Sequence, residues 1–367
     1  MKFIPVAEPN LGSEEEKFVL ECIRSTWISS TGAFIQKFEE EFSNYMGVKY
    51  AISCSNGTAA LHLALLALDI KEGDEVILPT LTFISTANVI TYVGAKPVFV
   101  DSDFETWNIN PKLIEEKITA KTKAIIPVHL YGYPAHMKEI MKIAKKYHLY
   151  VIEDAAEAHA AKYLNKYVGT LGNIGCFSFF GNKIITSGEG GMLITNSKRL
   201  VEKIHLYKNH GMSPKKKYYH PVIGYNYRMT NLQAALGYAQ MKRINNLLIK
   251  RKQIETWYRE SLSKVSGIVF QPLKKEVDNV CWLFSALITP RYGKTRKSLQ
   301  DYLKKKGIDS RPFFYPITHF PMYKIFETFP NAQRLSKWGI NLPSSPNLDK
   351  SHISYITTAI RDFQRYD

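Results

Sequence analysis

Cysteine is scarce: Cys22, Cys54, Cys176 and Cys281 are the only four in a chain of 367 residues. They stand far apart without a C-x-x-C pair, which excludes a disulfide framework and points to reduced thiols in a reducing compartment. No apolar run approaches the roughly 20 residues that span a bilayer, and the opening MKFIPVAEPNLGSEEE lacks an apolar h-region. A cytoplasmic protein with no membrane partner is expected. Repeats and low-complexity linkers are missing, and no G-x-G-x-x-G follows a strand-like run, which excludes the dinucleotide fingerprint.

Acidic residues are the minority, 33 against 49 lysines and arginines, for a net charge of +16. Such a surplus suits nucleic acid or a small polyanion such as a nucleotide diphosphate. The lysines are dispersed apart from the runs at 215–217 and 304–306, and no nucleic-acid motif accompanies them. A lysine-rich solvated surface is therefore expected, without a nucleic-acid partner.

Hydrophobic residues make up 45% of the chain, enough for one large domain and one smaller. Ser13 with Glu16 three residues later reads as a capping box opening an N-terminal helix. Then YAISC (50–54), EVILP (75–79), PVFV (97–100), AIIPVH (124–129) and YVIED (150–154) are rich in branched apolar residues with little polar alternation, as in strands buried on both faces. Helical segments at 58–69, 84–94 and 136–148 separate them. This alternation predicts an α/β fold with a mostly parallel sheet between helices. A long charged helix is expected over 233–258, followed by β-like runs such as CWLFSALIT (281–289). The boundary falls near Lys242, giving a large domain over 1–241 and a smaller α+β domain over 242–367.

In an open α/β sheet, ligands bind beyond the carboxyl ends of the strands. Three segments fall there. SNGTAA leads from strand to helix, so that Asn56, Gly57 and Thr58 offer backbone N–H groups and a helix dipole to an anion, although Ser-Asn-Gly is also a routine turn. YVIEDAAEAH delivers Glu153 and Asp154 at a strand end, where a single carboxylate is often only a helix cap. FSFFGNKIITSGEGGM carries Ser178 and Lys183 among Phe177, Phe179, Phe180, Ile184 and Ile185. Desolvation there lowers an ammonium pKa and makes the lysine a nucleophile toward a carbonyl; alone it would be a snorkelling loop residue. Together the three fit pyridoxal phosphate: Lys183 condenses with its aldehyde, Asp154 holds the pyridine nitrogen protonated, and Thr58 with Ser178 grips the phosphate.

The same motifs continue along nearly the whole chain: WISSTGAFIQKFEEEFSNYMG, SNGTAALHLAL, PTLTFISTAN, PVFVD, VHLYG, IEDAAEAH, FSFFGNKIITSGEGGM, YNYRMTNLQAA and SRPFFYPITHFPMY. In this order they resemble the DegT/StrS nucleotide-sugar aminotransferases, which are fold-type I pyridoxal phosphate enzymes. The resemblance implies that Phe83 stacks on the cofactor ring and that Glu157 lies beside its phenolic oxygen, where many relatives have glutamine. It implies further that Asn226 reaches the phosphate in the neighbouring subunit of a homodimer with shared active sites. Arg311 and His319 would contact the sugar diphosphate.

By the same resemblance, glutamate is the amino donor and a nucleotide-linked 4-keto-6-deoxy sugar the acceptor. FSFFGNK, YNYRMTNL and RPFFYP look nearest to members that act on GDP-4-keto-6-deoxymannose; UDP- and dTDP-linked sugars stay open, because loops set base and hexose specificity. A sugar dehydratase of this family would carry histidine in place of Lys183, and a regulatory, nucleic-acid-binding member would draw on the positive charge instead.

Overall fold

The branched apolar runs form a seven-stranded sheet in a computed structural model that describes residues 3–365. In spatial order its strands are Tyr50–Cys54, Gly191–Thr195, Ile174–Ser178, Tyr150–Asp154, Thr122–Ile125, Glu75–Pro79 and Lys96–Val100. Only Gly191–Thr195 runs antiparallel to its two neighbours. The strands Glu75–Pro79 and Ile174–Ser178 are buried throughout, which explains why their sequences lack alternation.

Helix Gly57–Ala67 packs between strand Ile174–Ser178 and helices Ser85–Tyr92 and Lys198–Lys208. It is apolar on nearly every side because it is covered on nearly every side.

Several boundaries differ from the sequence expectation for local reasons. The run AIIPVH stops being a strand at Ile125, because Pro127 has no N–H to give to a ladder. The expected helix over 233–258 is two helices, Asn231–Lys242 and Ile244–Leu262. At the break, the Arg243 guanidinium donates to Glu15 Oε1 at 2.6 Å and to Asn10 Oδ1 at 2.7 Å. The N-terminal helix Ser13–Ser25 takes Gly12 as its N-cap, and Glu15, rather than Glu16, accepts the Gly12 N–H at 2.8 Å.

Beyond Arg243 a second, antiparallel sheet orders Ile268–Val269, Phe284–Ile288, Gly339–Leu342 and Arg311–Pro312. Helices Ile244–Leu262, Arg296–Lys305 and Lys350–Arg365 surround a cluster of its own, including Tyr258, Phe284, Leu299, Ile340 and Ile356. Ile4 from the N-terminal arm joins that cluster, while Trp282, Leu283 and Phe313 pack into the core of the first sheet. No helix among the described residues is long and apolar enough to cross a membrane.

Candidate active site

Strand alternation sorts the two carboxylates at the end of Tyr150–Asp154. Glu153 turns away from the cavity, where its carboxylate accepts from the N–H groups of Gly169 (2.7 Å), Leu171 (2.7 Å) and Gly172 (2.6 Å) and pairs with His129 Nε2 at 3.1 Å. Asp154 lines a cavity of about 680 Å³. Its Oδ2 accepts from Thr86 Oγ1 at 2.8 Å and its Oδ1 from the Ala156 N–H at 3.2 Å. Burial pushes the Asp154 carboxyl above the usual range, against those two hydrogen bonds and the nearby Lys183.

Lys183 enters the same cavity from the loop after strand Ile174–Ser178, with its side chain 11% exposed. Phe179, Ile184 and Ile185 are buried beside it, whereas Phe180 is half exposed. Burial lowers the amine pKa, and the Glu157 and Asp154 carboxylates act in the opposite direction. Lys183 Nζ lies 3.9 Å from Glu157 Oε1, and Glu157 Oε2 accepts the Tyr131 N–H at 2.7 Å. Burial raises the Glu157 carboxyl to about 7, with the Lys183 cation opposing.

The start of helix Gly57–Ala67 also lines the cavity. Asn56 caps it by accepting the Ala59 N–H at 2.8 Å, which leaves the amides of Gly57 and Thr58 without an acceptor among the described residues. A Cβ on Gly57 would lie 2.7 Å from Ser178 Cβ, so glycine is needed for the helix start and Ser178 to approach this closely. Thr58 and Ser178 line the same cavity. Phe83 lies along the cavity wall, 54% exposed, 5.8 Å from the Phe314 ring.

Thus Asn56, Gly57, Thr58, Phe83, Asp154, Glu157, Ser178, Lys183 and Arg311 meet in one cavity, Arg311 exposed at its rim. Asn226 and His319 do not line it. Asn226 sits in an exposed loop, where its Oδ1 accepts from Arg228 Nε at 3.1 Å, and His319 is exposed at the end of a short 3-10 turn.

Three further residues of the site escaped the sequence reading, two of them on the cavity wall. Thr86, buried behind the wall, binds Asp154, as above. Tyr131 adopts φ 54°, a left-handed conformation costly for a bulky side chain, held by its N–H bond to Glu157 and by ring contacts with Phe314 and Trp282. Trp282, from the C-terminal third, places its indole 3.9 Å from Lys183 Nζ. The aromatic content of CWLF was the one available signal for Trp282; it reads equally as core.

Comparison with known proteins matches residues 9–361 to the model of the DegT/DnrJ/EryC1/StrS aminotransferase family. The chain belongs to that family. It is 48% identical over 364 residues to a GDP-perosamine synthase of Escherichia coli O157:H7, with 99% of each chain covered. A GDP-perosamine synthase of Caulobacter vibrioides is 45% identical over 360 residues, with 97% of each chain covered. Among solved structures, the Helicobacter pylori aminotransferase PseC, involved in the biosynthesis of pseudoaminic acid, superposes with a TM-score of 0.94 at 29% identity. The superposition covers 99% of this chain and 100% of that one.

Proposed function

We propose that this cavity holds pyridoxal 5'-phosphate and that the protein moves the amino group of L-glutamate to the 4-keto carbon of GDP-4-keto-6-deoxymannose. The products are GDP-perosamine and 2-oxoglutarate. One observation carries the reading: a sheltered lysine, a strand-end aspartate and an unspent helix N-terminus converge on one cavity. The same sugar nucleotide is named in the full-length relatives above.

The residues fit the cofactor. The free amides of Gly57 and Thr58, with the hydroxyls of Thr58 and Ser178, form a cradle for a phosphate. Asp154, anchored by Thr86 and Ala156, is a buried anion in want of a cationic N–H, which a protonated pyridine supplies. Phe83 offers a flat face to the ring. When bound, the cofactor carries the amino group between donor and acceptor and serves as an electron sink.

The chain's own groups do the rest. Lys183 Nζ is the only lysine amine among the described residues lining the cavity, so it is the group that gives up and takes back a proton there. Its neighbours set when it is neutral: burial favours the free base, and Glu157 at 3.9 Å favours the ammonium. Glu157 carries a carboxyl where glutamine carries an amide, and because burial raises its pKa, protonation would let it donate toward the cofactor's phenolic side as the amide would. Arg311 has a guanidinium free at the rim for a diphosphate, and His319 lies outside the cavity as a further polar contact for the nucleotide.

Assembly and location belong to the same proposal. Asn226 stands exposed, with Arg228 half-buried beside it, in a loop that also presents Tyr218, Tyr219 and Ile223 to solvent. Docked on a second copy, this loop would carry Asn226 to the neighbouring phosphate and make a homodimer with shared sites. The four free, buried cysteines suit the cytoplasm. The separate cluster around Tyr258 and Phe284 supports a smaller domain over 242–367 that contributes Arg311 to the substrate.

The test of the substrate is a side-by-side assay of GDP-, UDP- and dTDP-linked 4-keto-6-deoxyhexoses with glutamate. The GDP sugar should be converted with the highest kcat/KM. Preference for a UDP or dTDP sugar would keep the aminotransferase and overturn the base assignment.

A further inference from the structure

Trp282 reaches the site from the bend just before strand Phe284–Ile288, about 100 residues after Lys183, yet it is fixed against that lysine at three points. Its ring faces Lys183 Nζ with the centroid 3.9 Å away. Its indole N–H donates at 2.8 Å to the carbonyl of Asn182, the residue before the lysine. Its backbone carbonyl accepts from Arg251 Nη1 at 2.7 Å, while Nη2 of the same guanidinium reaches the Lys183 carbonyl at 3.5 Å. Arg251 is buried and has no carboxylate partner among the described residues; Nη1 also binds the carbonyls of Cys281 (3.2 Å) and Ser344 (3.2 Å). Tyr131 stacks near the indole with an interplanar angle of 19° and fixes its plane.

An aromatic face attracts a cation through its quadrupole, and more strongly where water is excluded. Among the described residues Trp282 is the one tryptophan whose ring faces a lysine amine. We propose that Trp282 is a positioning residue for Lys183: its indole face is the seat on which the ammonium rests whenever the amine is protonated and not joined to the cofactor. The seat holds the released lysine within the cavity and aimed, instead of leaving it to swing toward the mouth. Arg251 keeps the segments bearing Trp282 and Lys183 in fixed relation through their carbonyls, so the seat and the amine move together.

This inference rests on the reading of Lys183 as the reactive amine. The other titratable groups acting on that amine are the carboxyls of Asp154 and Glu157 and the imidazole of His159, with the Arg251 guanidinium behind its carbonyl. Ring fluorination keeps the shape of the indole and its N–H, so a change in titration across that series reports the electron density of the indole face.

The experiment is trace labelling of the full chain, freed of cofactor, with acetic anhydride across a pH series, followed by mass spectrometry of the Lys183 peptide. Three forms are compared with wild type: Trp282→Leu, Trp282→Phe, and protein grown with fluorinated tryptophans, whose rings keep their shape but lose electron density. The labelling midpoint should fall by about one pH unit in Trp282→Leu, less in Trp282→Phe, and stepwise with fluorination. Should Trp282→Leu fail to fold, the fluorinated proteins decide. Midpoints unchanged across the fluorinated series would overturn the seat even if stability suffers. Borohydride treatment of the cofactor-loaded wild type separates the two readings: a cofactor fixed elsewhere than Lys183 sinks the lysine assignment, whereas a cofactor fixed on Lys183 with unmoved midpoints sinks Trp282 alone.

Discussion

Thr86 Oγ1 donates a 2.8 Å hydrogen bond to Asp154 Oδ2, from the first turn of helix Ser85–Tyr92 to the end of the strand Tyr150–Asp154. The bond favours the ionised carboxyl in a place where burial disfavours it. In the proposed role Asp154 is ionised to hold a pyridinium, and Thr86 would then sustain the acid side of the activity range.

Asp154→Asn is expected to lower kcat by roughly a hundredfold or more while the fold persists, and Thr86→Val by about tenfold, the worth of one hydrogen bond to a charged group. Thr86→Val should also move the acid limb of the pH–rate profile upward, because losing a bond to the anion raises the carboxyl pKa further. A steady-state pH profile of both variants, with circular dichroism to establish folding, checks this. An Asp154→Asn enzyme with an unchanged rate would reduce Asp154 to a turn residue.

His159 is buried against Phe177 and Phe179, and burial, helped by the Lys183 cation, pushes its imidazole down to about 3. Its folded value lies below its unfolded value of about 6.5, so the unfolded chain binds the extra proton and stability is lost as pH falls from about 6.5 toward 3. His159→Gln should flatten that dependence by up to about 1.4 kcal/mol per pH unit. Urea melts of cofactor-free protein at several pH values between those limits measure the slope; parallel slopes in variant and wild type would mean His159 is already charged when folded.

Much of this site was legible because its residues follow strand ends that composition marks clearly. Strands 50–54, 75–79 and 150–154 coincide with their sequence runs, and Asn56, Asp154 and Lys183 follow from knowing which end of such strands a ligand meets. The sequence reading already takes Asp154 rather than Glu153; the three backbone donors that satisfy Glu153 give the physical reason, which no local pattern displays. Thr86, Tyr131 and Trp282 were invisible for a related reason: each matters through contacts with residues distant in sequence. Arg243 interrupts a helix that periodicity would continue, because its guanidinium is drawn to Glu15 and Asn10. Tertiary hydrogen bonds outweighed local propensity there.

The dimer proposal predicts complementation. Asn226→Asp sets a carboxylate against the partner's phosphate, and Lys183→Ala removes the amine; each homodimer should be crippled. A mixed dimer then has one site with both defects and one with neither, and should recover up to half of the wild-type turnover per dimer. Co-expression with two affinity tags, then assay of the doubly purified species, reads the outcome. No recovery, given an impaired Asn226→Asp homodimer, would mean that Asn226 serves its own chain.

The central claim is that Lys183 bonds the cofactor, and borohydride reduction of the purified, cofactor-loaded protein followed by peptide mass spectrometry tests it most directly. The peptide bearing Lys183 should carry a pyridoxyl group, and Lys183→Ala should take no label while still binding cofactor noncovalently and losing turnover at least about a thousandfold. A pyridoxyl group on a different lysine, or a Lys183→Ala enzyme that turns over at a near-normal rate, would contradict the account.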